Sequence, residues 1–341
     1  MERTLSGKLF FIISIGGRIM TRLQDSITIR GNKIKNRIVM EPIYTFSFRG
    51  DNGSFYGTQH IEHYKRCAKG GVGLLIVQGT YVIGAVDGTE LWSEENTKVL
   101  KQIADNCHEY GVTALLQLSG GDQDINELTL SQIHTLQSNM TQAAITVCEL
   151  GFDGAEFHFA HGFSFCKFLD ASYNRRTDQF GGDIVNRARI LTEIIPEIRN
   201  KTHEKFILGI RMGESQPESK DGIEAAKTFE KAGIDLLNIS FGMNLPVPTL
   251  PDNFIGSAIT YSAGLIKKEV DIPVIAVNKI RNAELAQYLI ENDFVDFVGI
   301  GRGILADPEL PNHMLNSEPI YKCKGCRSCL WFTDHTKCPA L

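Results

Sequence analysis

Eight short runs of apolar, often β-branched residues recur along the chain, and they limit its folds more than any other feature. They fall at 37–40 (RIVM), 73–78 (GLLIVQ), 113–118 (TALLQL), 154–158 (GAEFH), 206–211 (FILGIR), 235–240 (DLLNIS), 273–277 (PVIAV) and 296–301 (DFVGIG). Short, nearly continuous apolar runs read as strands buried on both faces, the signature of a parallel sheet. The segments between them carry helical spacing, as in EENTKVLKQIADNCHEYG and SKDGIEAAKTFEKAG. The second closes on Gly233, where a helix C-terminus favours glycine. Eight strands alternating with seven linking stretches predict a (β/α)8 TIM barrel, an α/β fold, in preference to a doubly wound sheet. A chain of 341 residues, 43% hydrophobic and 22% charged, has ample material for one such core. The expected organisation is a barrel over 20–315, an N-terminal extension at 1–19 outside the fold, and a short cysteine-rich segment at 316–341.

The segment KLFFIISIGG from Lys8 has the basic and apolar parts of a signal peptide, but its apolar run is short and leads into Gly-Gly-Arg rather than a small-residue cleavage site. No run of eighteen apolar residues follows, so a cytoplasmic location away from membranes is expected. A net charge of −5 and a pI near 6.0, without basic runs interleaved with aromatics, argue against a nucleic-acid partner. A homo-oligomer stays open.

A barrel places its chemistry at the C-terminal ends of its strands. Gln117, His158 and Arg211 close the third, fourth and fifth runs, and Arg302 follows the eighth. His158 and His161, three residues apart and leaving a strand, can direct two N–H donors at one cavity. That arrangement suits a substrate carbonyl oxygen that gains negative charge in the transition state. A metal pair lacks a third ligand at a suggestive spacing, and a core role for one of the two histidines stays open. Arg211 has an alternative reading as the partner of an acidic loop residue such as Glu214. Arg176 and Asp178 read as a brace for the turn at Gly181 and Gly182.

The pieces IKNRIVMEP, HYKRCAKGGVGLLIVQGT, LLQL, GFDGAEFHFAHGF, NRRTDQFGGDIVNRAR, GIR and VDFVGIGRGILADPELP occur in that order between about Leu23 and His313. This ordered set resembles the Old Yellow Enzyme family, FMN-dependent (β/α)8 barrels that take hydride from NAD(P)H and pass it to an activated alkene or another acceptor. The resemblance implies that Gln117 and Arg211 contact the flavin's pyrimidine edge, with the cation near N1 and the C2 carbonyl. It also implies that Pro42, Ile43 and Tyr44 line the ring and that Gly79 leaves it room. Val277, Asn278, Gly301 and Arg302 would hold the phosphate, and His158 and His161 would be the catalytic clamp on the substrate oxygen.

Three departures accompany the resemblance. Asn278 and Lys279 stand where the family usually has two glycines. Tyr44 stands where a smaller Thr or Cys is common, and Phe163 stands where alkene reducers have a proton-donating tyrosine. Phenylalanine has no proton to give, so alkene reduction is expected to be slow while hydride transfer from NAD(P)H is not. The glycines of GIGRGI do not complete a dinucleotide fingerprint, because Ile304 occupies its last position.

The tail CKGCRSCLWFTDHTKC carries Cys323, Cys326, Cys329 and Cys338 as C-x2-C-x2-C-x8-C. Four thiolates can enclose a 4Fe-4S cluster or a zinc ion, and His335 is an alternative ligand. A similar set carries a cluster in the branch that resembles trimethylamine dehydrogenase and 2,4-dienoyl-CoA reductase. Unligated thiols are the remaining reading. Two functional classes follow: an FMN-dependent NAD(P)H oxidoreductase with an enone, quinone or other acceptor, or a flavin- or metal-bearing barrel that serves in binding or electron relay.

Overall fold

The computed structural model describes residues 14–15, 18–19, 21–48, 50, 53–83, 85–86, 89–213, 219–243, 248–320 and 323–341. Most of the expected N-terminal extension, and Glu214, lie outside the described residues. Eight parallel strands close into a barrel: β1 (Ile38–Met40), β2 (Leu74–Tyr81), β3 (Thr113–Ser119), β4 (Gly154–Phe159), β5 (Ile207–Gly213), β6 (Leu236–Ser240), β7 (Val274–Ala276) and β8 (Phe297–Ile300). Each coincides with one of the eight apolar runs. Helices cover the outside, among them α1 (Thr58–Lys69), α2 (Glu94–Glu109) and α3 (Leu130–Glu149). Gly233 ends the helix after β5 with φ +102°, as the glycine cap requires.

The period-two alternation of strand side chains divides the core in two. Ala155, Phe157 and Phe159 of β4 and Leu208, Ile210 and Met212 of β5 pack outward in one large cluster with the helices. Val39, Leu74, Ile76, Leu115, Ile207, Leu236, Ile275 and Phe297 form a second cluster inside the barrel. Ile29 and Ile34, from the hairpin of Ile27–Ile29 and Asn32–Ile34, belong to that inner cluster and close the barrel's N-terminal end. Further along the same inward positions the residues turn polar: Gln117, Glu156, His158, Arg211 and Asn238, each less than a tenth exposed. Strand register fixes their proximity, pairing Gln117 with Glu156, His158 with Arg211, and Arg211 with Asn238. The interior is therefore an apolar plug below a polar floor at the end where barrels build their sites.

The tail after the barrel folds back onto it. Trp331, at 4% exposure, belongs to the main core cluster and lies 5.4 Å from the rings of Phe48 and His63. His335 meets Phe48 edge-on at 5.0 Å, and Ser47 Oγ donates to the Trp331 carbonyl at 3.3 Å. The Arg176–Asp178 pair, 2.5 Å apart, braces the turn after β4. Arg176 also donates to the carbonyls of Ile125 and Leu128, and Gly181 N–H bonds the Asp178 carbonyl.

Candidate active site

A cavity of about 860 Å³ opens at the C-terminal end of the barrel, within the range of sites for cofactors and small molecules. Its wall brings together parts of the chain that are far apart in sequence. Pro42, Ile43 and Tyr44 come from the loop after β1, His161 from the loop after β4, and Arg211 from β5. Val277 and Asn278 follow β7, and Gly301 and Arg302 follow β8. The polar floor includes Gln117 and His158, and Gly79 sits inside β2 at a bulge between Val77 and Thr80. A Cβ added to Gly79 would come within 3.1 Å of Gln117 Oε1 and 3.2 Å of the Tyr44 hydroxyl. That glycine thus keeps clearance between the floor and the cavity wall.

The loop after β1 is held by Gln78, whose Oε1 accepts from the Thr45 N–H at 2.8 Å and the Thr45 hydroxyl at 2.7 Å. Tyr44 stacks on Phe46 at 5.1 Å, and Phe46 remains 60% exposed at the rim. Burial raises the Tyr44 phenol well above its ordinary value, so it is a neutral hydroxyl across the working pH range.

His158 and His161 come together as their spacing predicts, with ring centroids 5.0 Å apart. His161 takes φ +61° and Gly162 φ +76°, a tight left-handed turn that folds the chain back beside the strand. His161 N–H bonds the Phe241 carbonyl at 3.1 Å, and its Nε2 lies 2.7 Å from Ser240 Oγ. Burial, with the Arg211 charge added, lowers His161 to about 3; burial, His161 and Arg211 hold His158 well below the ordinary histidine range. Both rings are neutral near pH 7, each with one N–H donor and one acceptor nitrogen. Phe163 packs against His158 at 5.3 Å, so the position expected to hold a tyrosine does sit beside the pair.

Three residues of the floor were not anticipated. Arg211 pairs with Glu41, immediately after β1: Nη2 lies 3.0 Å from Glu41 Oε2. Asn238 Nδ2 donates to Glu41 Oε2 at 3.1 Å and to Glu156 Oε2 at 2.8 Å, while Gln117 Nε2 donates to Glu156 Oε1 at 2.7 Å. Burial drives Glu156 up to about 7, and burial also raises Glu41, with Arg211 pulling in the opposite direction. Parity was the available signal: Glu156 shares the inward face of β4 with His158, and a charged residue inside a buried strand is rarely idle.

The network is incomplete. Glu41 Oε1, His158 Nδ1, Arg211 Nε and Asn238 Oδ1 are buried without a hydrogen-bond partner. Buried polar atoms are normally satisfied, so donors and acceptors left open around a cavity mark the place of a polar ligand. A ring with a hydrogen-bonding edge and a phosphate fits this set, with Lys279, Arg281, Arg302 and Arg327 as the cations on the wall. Asn278 and Lys279 adopt φ +88° and +59°. The backbone therefore keeps the left-handed turn that glycines favour, even though neither residue is glycine.

The tail reaches the same cavity. Cys323, Cys329 and Phe332 line it, and Arg302 donates to the Cys326 carbonyl at 3.3 Å. All four tail cysteines are half-buried and free of disulfides. Among the described residues no group of three or more His, Cys, Asp or Glu is gathered closely enough to hold a metal ion. The tail that carries Cys323, Cys326, Cys329 and Cys338, the expected iron–sulfur or zinc ligands, is not tied down by a disulfide. The segment is held instead by Trp331 in the core and by Arg302 on its backbone.

The model of the NADH:flavin oxidoreductase / NADH oxidase family matches residues 23–127 and 120–319, nearly the whole barrel. The chain belongs to this family. It is 32% identical over 332 residues to a NADH oxidase of Thermoanaerobacter brockii, covering 86% of this chain and 51% of that protein. It is 30% identical over 319 residues to a NADPH dehydrogenase of Halalkalibacterium halodurans, covering 85% and 93%. The chain thus spans about half the length of the first relative and nearly all of the second. Among solved structures, a 2-naphthoyl-CoA reductase complex aligns with a TM-score of 0.80 at 23% identity, over 90% of this chain and 54% of that one. An old yellow enzyme homologue from Zymomonas mobilis aligns at 0.74 and 21%, over 92% and 99%. At those identities the structures establish the fold alone, a (β/α)8 barrel. Among the described residues no helix is long and apolar enough to cross a membrane.

Proposed function

We propose that this chain is an FMN-dependent NAD(P)H oxidoreductase whose site is the cavity at the C-terminal end of the barrel. The observation that carries the proposal is the set of unpartnered buried polar atoms at that cavity, Glu41 Oε1 and Arg211 Nε on its wall with His158 Nδ1 and Asn238 Oδ1 in the floor, in a chain of the NADH:flavin oxidoreductase family. Bound FMN would supply the centre that accepts hydride from the nicotinamide and returns it to an acceptor. Gln117 and Arg211 would hold the ring's polar edge, with Tyr44, Pro42 and Ile43 against its faces and Gly79 keeping that side open. Asn278, Gly301 and Arg302 would bind the phosphate, beside Val277.

The two neutral histidines would donate N–H groups to a carbonyl or quinone oxygen, holding it where negative charge develops. Phe163 removes the usual proton donor, so an acceptor that needs no proton on carbon, such as a quinone or free flavin, suits this site better than an enone. Phe46, Tyr44 and Phe241 at the rim offer flat surfaces to such rings.

Arg302→Gln tests the assignment of the phosphate wall. Titration of apoprotein with FMN, followed by quenching of flavin fluorescence, should give a dissociation constant about ten- to a hundredfold weaker for the variant, equivalent to about 1.5–3 kcal/mol for a charged hydrogen bond. Riboflavin, which lacks the phosphate, should bind both proteins alike. Equal FMN affinities would remove Arg302 from the site.

A further inference from the structure

We infer that Glu41 is a tuning residue for the flavin's reduction potential, acting through Arg211. The inference rests on the FMN reading above and adds a role for a residue that the sequence did not single out. Glu41 lines the cavity together with Arg211, and the pair is almost fully desolvated, with side-chain exposures of 4% and 9%. Its Oε2 holds Arg211 Nη2 at 3.0 Å and takes a second hydrogen bond from Asn238 at 3.1 Å, so the carboxylate is fixed against the guanidinium. The barrel wall makes room for it: a Cβ on Gly299 would fall 2.1 Å from Glu41 Oε1. Any side chain on that residue of β8 would displace the carboxylate.

Bound FMN would take two electrons and one hydrogen as hydride from NAD(P)H, the oxidised nicotinamide leaving, and the reduced ring would carry added negative charge along its polar edge. A cation beside that edge favours the reduced state. Arg211 supplies the cation, but one face of its charge is already taken by Glu41. In a poorly solvated site an anion 3.0 Å from the guanidinium offsets much of the field that Arg211 would project. Glu41 therefore makes the bound flavin harder to reduce and a stronger reductant once reduced, which suits delivery to acceptors of low potential. The Nε of Arg211 remains buried and unpaired, leaving the residue able to donate to the ring while its charge is moderated.

The test is the two-electron midpoint potential of the FMN-loaded protein, measured at pH 8 by equilibration with reference dyes, for wild type, Glu41→Gln and Glu41→Asp. The expected result is a rise in Glu41→Gln that corresponds to at least tenfold stronger preference for reduced over oxidised flavin, about 30 mV or more. The Asp variant, which retracts the charge from Arg211, should shift in the same direction by less, and it provides the measurement if the Gln variant does not fold. An unchanged or lowered potential in a folded, FMN-bearing variant would overturn the role of Glu41 and leave the FMN reading intact. Failure of the wild-type protein to bind FMN at all would instead overturn the reading on which the inference stands.

Discussion

Removing the one cation in the polar floor should destabilise the fold itself, by an amount that depends on pH and on Glu41. Arg211→Met keeps most of the side-chain volume and deletes the charge, leaving Glu41 and Glu156 buried without a counter-ion. Removing one partner of a buried ion pair costs about 3–5 kcal/mol. The protein can limit the loss by protonating Glu41. Burial already favours that protonation and Arg211 opposes it, so with the arginine gone it becomes easier, and it is easiest at low pH. The variant should therefore lose about 3–5 kcal/mol at pH 8 and measurably less at pH 6. In Arg211→Met/Glu41→Gln the stranded charge is gone, and the double variant should be more stable than the two single losses predict by about 2 kcal/mol. Urea unfolding of FMN-free protein at both pH values, followed by circular dichroism, measures all three. Additivity within about 0.5 kcal/mol, or a loss in Arg211→Met independent of pH, would show that the two side chains do not form the buried pair described.

Two further outcomes follow from the same geometry. Glu156 sits near 7 in the folded state against an ordinary value of 4.5, so the folded protein holds a proton there that the unfolded chain has released. Its contribution is present below about pH 4.5 and fades as the pH rises to about 7, lowering stability by roughly 3 kcal/mol across that window; the corresponding slope of urea midpoint against pH should flatten in Glu156→Gln, and an identical slope would refute it. Phe163→Tyr places a hydroxyl beside the histidine pair, where a positioned acid contributes about 10²–10⁴-fold. Anaerobic reoxidation of reduced protein by cyclohexenone should speed up at least tenfold while reduction by NAD(P)H changes less than twofold, and an unchanged enone rate would remove Phe163 from the reacting centre.

The barrel was legible in the sequence because nearly continuous apolar runs and their regular spacing are strong signals, and every run became a strand. His158, Arg211 and Gln117 were legible for a related reason: a polar residue at the end of a buried strand has few places to go but the barrel mouth. What escaped was pairing across the barrel. Glu41 follows β1 and Arg211 lies on β5, 170 residues apart in the chain, and only closure of the sheet makes them neighbours. Glu156 and Asn238 were hidden inside runs that read as apolar, although their parity with His158 and Arg211 marked them as inward. The tail was the hardest part. Four cysteines at ligand-like spacing drew the reading of the residues, whereas Trp331, which docks the segment in the core and leaves Cys323 and Cys329 lining the cavity, carried no pattern of its own. Asn278 and Lys279 show the reverse case, since the sequence departs from the family's glycines while the backbone keeps the left-handed turn.

The central claim is that this barrel binds a flavin and reduces it with a nicotinamide nucleotide, and an absorbance spectrum of the anaerobically purified protein tests it most directly. Flavin bands near about 450 nm are expected, either as isolated or after addition of FMN, and they should bleach when NADH or NADPH is added. A colourless protein that takes up no FMN, or bound flavin that neither nucleotide bleaches, would contradict it.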